Sequence, residues 1–205
     1  MVSVPQVPNL SALFRVKRIQ RITIAWMTLE AAISLSAAWR AKSPALFAFG
    51  GDSAIELLSA TVVLWRFTSA TEKDNHERLA ARSAAVLLFT LAAFVVVTSA
   101  LTLLGHSETK PTYLGIAVLI SAITIMPWLA SQKRKLSNET GSAALRADGA
   151  QSGLCAYLAL VALLGLGLNA IWHVAWADPV AALAITPLIL WESNEAFKGK
   201  PCSCD

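Results

Sequence analysis

Two carboxylates four residues apart, Asp52 and Glu56, stand inside an apolar run that extends from Ala45 to Phe67. A helix puts positions i and i+4 on one face, so both acids would point the same way. At about 1.5 Å of rise per residue they would lie roughly 10–17 Å into such a helix. An acid at that depth in a bilayer costs about 2.5–3.5 kcal/mol on insertion scales. Two like charges stacked there repel unless a cation or a proton sits between them. The pair is therefore a candidate cation or proton site, and the plain alternative is one protonated carboxyl bonded to a neighbouring Ser. A second apolar run repeats the spacing with Gln151 and Cys155. Facing each other, the two runs would offer two carboxylates, an amide oxygen and a thiol to one cation. Taken singly, Gln151 reads as a helix-to-helix hydrogen bonder and Cys155 as a small core residue. Small residues surround both pairs, among them Gly50, Gly51, Gly149 and Gly153. Small residues let helix backbones approach closely.

The elements that must position these groups follow from composition. Of the 205 residues 56% are hydrophobic and only 15% charged, against about 25% charged in a soluble domain. The mean hydropathy is +0.57. A water-soluble enzyme, a nucleic-acid-binding domain and a disordered chain all fit poorly. Six apolar stretches are long enough, or nearly so, to cross a bilayer, which takes about 20 residues. They run approximately over 19–39, 45–67, 80–104, 113–130, 143–172 and 179–191, the last being short. The reading is an all-α integral membrane protein with an arm over 1–14, six spans within 15–197 and a short tail over 198–205. No cleavable leader is expected, because the first 18 residues lack a separate apolar core and a small-residue cleavage site.

Orientation follows from Lys and Arg. All seventeen except Arg40, Lys42 and Lys110 fall in segments on one side of the six-span topology. The positive-inside rule then places both termini in the cytosol. The basic excess is an orientation signal and implies no nucleic-acid partner. Trp39, Trp65, Trp128, Trp172, Trp176 and Trp191 fall near span ends, where indole favours the headgroup level. Three cysteines make no disulfide framework. Cys202 and Cys204, in a tail on the cytosolic side, are expected to be free thiols, and either capture a soft metal or are incidental.

Glu30 and Asp148 are also acids within apolar stretches. Glu30 is expected to be a buried, hydrogen-bonded or protonated carboxyl, with a basic partner or proton transfer as alternatives. Asp148 is expected to pair with Arg15, Lys17 or Arg18, or to line a cytosolic entry path. His106 and His173 read as surface or interface residues. Asp74 and His76 read as a solvated loop, with a second metal site as the alternative. The chain carries no Ser-His-Asp set, no H-E-x-x-H and no phosphate loop, so an enzyme is not expected.

With these features together the chain resembles the cation diffusion facilitator family of six-span metal–proton antiporters, over roughly Arg15 to Ala196. That family carries an acidic or histidine pair on span two, here Asp52-xxx-Glu56, and another on span five. The span-five pair follows a stretch like Ala144–Asp148, which makes it Gln151-xxx-Cys155 here. Trp176–Leu183, leading into span six, and Asp74-Asn75-His76 also look like the family's. The resemblance implies a secondary transporter that exports divalent metal from the cytosol in exchange for protons, with Asp52, Glu56, Gln151 and Cys155 as metal ligands and no prosthetic group. Three departures stand out. Gln151 cannot release a proton at physiological pH. Cys155 brings sulfur, which favours softer ions, so Zn(II) is the first choice and Cd(II) its rival, as in heavy-metal resistance. The family's cytosolic C-terminal domain is expected to be missing, which leaves a homodimer to the membrane helices. The expected setting is a plasma (inner) membrane. A non-transporting metal sensor or accessory subunit is the alternative.

Overall fold

In hydrocarbon a chain must satisfy its backbone internally, and a helix does so within one segment. The computed structural model describes residues 10–68, 74–106 and 108–197, and all regular structure among them is helical. The helices are α1 (Leu10–Ala41), α2 (Pro44–Thr68), α3 (Asp74–Leu103), α4 (Tyr113–Thr140), α5 (Ala143–Trp172) and α6 (Ala177–Phe197). The first five are long and apolar enough to cross a membrane. The sixth carries Asp178, Glu192 and Glu195 within its 21 residues.

Each helix covers the apolar stretch that forecast it, and several run further. Apolarity ends α4 at Ala130, whereas the helix continues to Thr140 and carries Lys133, Arg134 and Lys135 with it. Lys133 was counted among the loop charges that orient the chain. It is instead fully buried in the helix bundle. In the same way α1 starts at Leu10, so Arg15, Lys17, Arg18 and Arg21 ride on a helix. The link from α4 to α5 is two residues long. Gly141 adopts the left-handed conformation at φ 64°, which glycine reaches at no steric cost, and Ser142 caps α5 by accepting from the Leu145 amide. So short a link makes α4 and α5 antiparallel neighbours.

The second helix packs against α1, α3, α5 and α6, which gives its residues Asp52 and Glu56 access to most of the bundle. One end of the bundle is tied by polar contacts. Asp178, at the start of α6, accepts from the Ser43 hydroxyl at 2.6 Å, and Ser43 in turn accepts from the Leu46 amide in the first turn of α2. The Lys110 amide donates to the Ala41 carbonyl at 2.8 Å. The six tryptophans expected at span ends are all substantially exposed on the bundle surface, as are Val86, Leu87, Phe94 and Val97 of α3. Exposed apolar side chains in this number suit a lipid-facing surface.

Close helix approach occurs at some of these glycines and not at others. A Cβ on Gly50 would stand 2.8 Å from Ser34 Cβ, so that glycine serves the α1–α2 contact. A Cβ on Gly149 would stand 3.1 Å from Lys133 Cβ, which serves α4–α5, while Gly153 has nothing within 4 Å. The Gly149-xxx-Gly153 spacing is therefore not one continuous packing stripe. The tightest site is Gly165, where a Cβ would meet Ala181 Cβ at 2.5 Å and the Ala177 carbonyl at 3.1 Å. Replacing Gly165 by Ala should destabilise the bundle by about 1–3 kcal/mol through α5–α6 overpacking. Gly153→Ala should be neutral or slightly stabilising, since alanine is the better helix former. Thermal unfolding of the two variants in detergent micelles checks this contrast.

Candidate functional site

Among the described residues six carboxyl groups are buried: Asp178, tied to Ser43 at one end of the bundle, and Glu30, Asp52, Glu56, Asp148 and Glu192 in its interior. Among the described residues Lys133 is the only buried basic side chain. The interior acids sit on α1, α2, α5 and α6, and the ammonium comes from α4. They fall into three adjoining clusters.

The first cluster is built around Lys133. Its Nζ lies 2.9 Å from Asp148 Oδ2 and 3.8 Å from Glu56 Oε1, and donates to Ser152 Oγ at 2.8 Å. Gln20 of α1 donates to the same Asp148 oxygen at 2.7 Å. Ser152 passes the interaction on by donating to Glu56 Oε1 at 2.6 Å. The spacing of Asp148 and Ser152, again i and i+4, aims both at α4. Gly149 leaves room for the lysine stem beside them.

The second cluster belongs to Glu30. Its Oε2 accepts from Trp26 Nε1 at 2.6 Å, one turn back on α1. Its Oε1 accepts from Ser53 Oγ at 2.7 Å and from Cys155 Sγ at 3.7 Å. Ser53 and Cys155 are themselves 3.8 Å apart, so α1, α2 and α5 meet here. The third cluster joins Asp52, Glu192 and Gln151. They stand on α2, α6 and α5, three helices that pack against one another. Neither oxygen of the buried Asp52 has a donor.

The four residues singled out as metal ligands therefore occupy one polar core, but each keeps different company. Glu56 meets Lys133 and Ser152, Cys155 meets Glu30 and Ser53, and neither oxygen of Asp52 has a hydrogen-bond partner. Among the described residues no three His, Cys, Asp or Glu side chains converge as a ready-made metal cage. Asp148 does not reach the α1 arginines. It takes Lys133 and Gln20, and Arg15 pairs with Glu139 of α4 at 2.5 Å instead. Glu30 is hydrogen-bonded as expected. Asp74 and His76 lie in the first turn of α3, with side chains outside the described set, and Cys202 and Cys204 lie outside the described residues. His106 and His173 are exposed.

Two members of the core escaped sequence reasoning. Lys133 stands next to Arg134 and Lys135 and looks like part of a cytosolic charge run. The signal that could have found it is register: it is one helical face from the apolar positions Met126, Leu129 and Ala130, all buried. Glu192 follows Trp191 at the end of the last apolar stretch and reads as a boundary charge. Its α6 neighbours at i−3 and i−7, Ile189 and Ile185, are buried, and that spacing points it inward.

Comparison with protein families gives one match, to the cation efflux transmembrane domain, over residues 21–198. Comparison with curated proteins gives no match. Removing the Lys133 charge should leave Asp148 and Glu56 facing each other uncompensated. Lys133→Met should cost about 3–5 kcal/mol, the usual result of breaking a buried ion pair from one side. Adding Asp148→Asn should recover a large part of that loss. Chemical unfolding of the single and double variants in micelles measures both steps.

Proposed function

Because this chain belongs to the cation efflux family, whose members move metal cations across membranes, we propose that it is a secondary transporter exporting divalent transition metal from the cytosol in exchange for protons. The observation that carries the reading is the charge imbalance of the core: among the described residues five carboxyls in the bundle interior, apart from Asp178 at its end, accompany one buried ammonium. An isolated ion costs several kcal/mol in such a setting, so the remaining negative charge must be met by protons or by a bound cation. The same oxygens cannot hold both, and metal ligands must be deprotonated. Competition at one set of atoms is the physical basis of exchange.

Asp52 is proposed as the central ligand, with Gln151 and Cys155 across from it on α5 and with Glu56 one turn along α2. The sulfur of Cys155 favours borderline and soft ions, which selects Zn(II) and Cd(II) over hard divalent cations. The distribution of Lys and Arg supports cytosolic termini and an inward-facing loading side. The rearrangement that gathers the donors around a metal would release Cys155 from Glu30 and Ser53. A plasma membrane setting and a homodimer made by the membrane helices complete the reading.

The test is uptake of Zn(II) and Cd(II) into inside-out vesicles across an imposed proton gradient. Wild type should accumulate both metals, and a protonophore should abolish accumulation. Asp52→Ala should lower the rate by at least about 10-fold, the scale seen when groups that tune a metal site are lost. Cys155→Ser should lower Cd(II) uptake more than Zn(II) uptake. Tight metal binding by wild type without any flux would instead make the protein a membrane metal sensor or an accessory subunit.

A further inference from the structure

The export reading leaves a difficulty at the site. Gln151 brings only a neutral amide oxygen, and Glu56 is engaged by Lys133 through Ser152 and through a 3.8 Å ion pair. Asp52 alone cannot neutralise a divalent cation in an apolar medium.

The chain itself shows how this core accepts positive charge. In one half a cation is present, the Lys133 ammonium, held by Asp148, Glu56 and Ser152. In the other half Asp52 is 1% exposed, neither of its oxygens has a donor, and the buried Glu192 comes from α6, which packs against α2. Glu192 is 7% exposed, and α6 also packs against α5, which carries Gln151. Asp52 and Glu192 together carry two negative charges, the complement of a divalent ion, and Gln151 adds an amide oxygen as a third donor. Hard and borderline cations both accept carboxylate oxygen. Among the described residues no basic side chain forms an ion pair with Asp52 or Glu192.

We propose that Glu192 of α6 is a cargo ligand that binds the divalent cation together with Asp52 and Gln151, while Lys133 keeps Glu56 and Asp148 out of the site as a tethered cation. The inference rests on the export reading, extends the site to a third helix and replaces Glu56 by Glu192 in the ligand set proposed above. It assigns Glu192 the acidic role that Gln151 cannot fill, and it makes Lys133 the residue that limits the core to one metal ion. Removing the lysine charge should open a second cation position between Glu56 and Asp148.

Equilibrium dialysis of the full chain in detergent with Zn(II) and with Cd(II) tests this. Glu192→Gln should weaken binding by at least about 10-fold, and Glu192→Asp, which keeps the carboxylate, should retain most of it. Glu56→Gln should change affinity by much less than Glu192→Gln. Lys133→Met should raise the bound metal from one to two equivalents, and Lys133→Met with Glu56→Gln should return it to one. Wild-type affinity in Glu192→Gln, or a larger loss in Glu56→Gln than in Glu192→Gln, would overturn the assignment while leaving metal export in place. Absence of any metal binding by wild type would bring down the export reading and this assignment together. If Glu192→Gln does not fold, the Glu192→Asp and Lys133→Met arms still decide: a single equivalent in Lys133→Met contradicts the tethered-cation role.

Discussion

An ammonium group has been folded into the middle of an apolar helix bundle, and the arrangement around it follows from the cost of putting it there. Lys133 is fully buried, so it must find anions and acceptors within reach of one side chain. Asp148 at 2.9 Å, Ser152 at 2.8 Å and Glu56 at 3.8 Å supply them, from two other helices. Those partners are then committed. Gln20 is drawn toward Asp148 from α1, and the Ser152 hydroxyl is aligned between the lysine and Glu56. A buried pair of this kind adds little net stability compared with a packed apolar substitute. Its effect is to fix which carboxylates of the core are neutralised from within and which still need a partner from outside.

The helices are placed to make that division. The two-residue link of Gly141 and Ser142 keeps α4 against α5, and Gly149 removes the side chain that would hold Lys133 away. On the other flank Gly50 lets α1 close on α2, which brings Glu30 to Ser53. Gly165 brings α6 in against α5. The second helix touches both flanks and presents Asp52 and Glu56 to different neighbours. Among the described residues one turn of helix thus separates an acid paired with a buried ammonium from an acid paired with none. Cation efflux needs such an imbalance, since a fully neutralised core would have no reason to bind metal.

Much of this was legible before any coordinates. The helices and their order follow from apolar runs, because hydrocarbon allows few alternatives to a helix. The importance of Asp52 and Glu56 follows from the cost of burying them, and the inward position of Gln151 and Cys155 from their register on α5. What stayed hidden was the pairing. Lys133 was read as a loop charge because hydropathy treats a lysine as the end of a span, although the helix runs on for seven residues beyond it. Asp148 was paired with the nearest visible arginines in the sequence pattern, whereas its partner is the concealed lysine. Glu192 was passed over since a charge at the end of an apolar stretch usually marks the membrane surface. Long-range partners of polar groups depend on how helices rotate against one another, and periodicity gives the inward face of a helix without naming what it meets.

The central claim is that the cargo cation binds at Asp52 while Lys133 keeps its own anions. Anomalous diffraction from crystals of the full chain grown with Cd(II) tests it most directly. The account predicts one strong peak beside the Asp52 carboxylate, between α2, α5 and α6, with Lys133 still bonded to Asp148. A peak in the place of the Lys133 ammonium, between Glu56 and Asp148, would contradict it. So would a crystal in which cadmium is bound only at the surface.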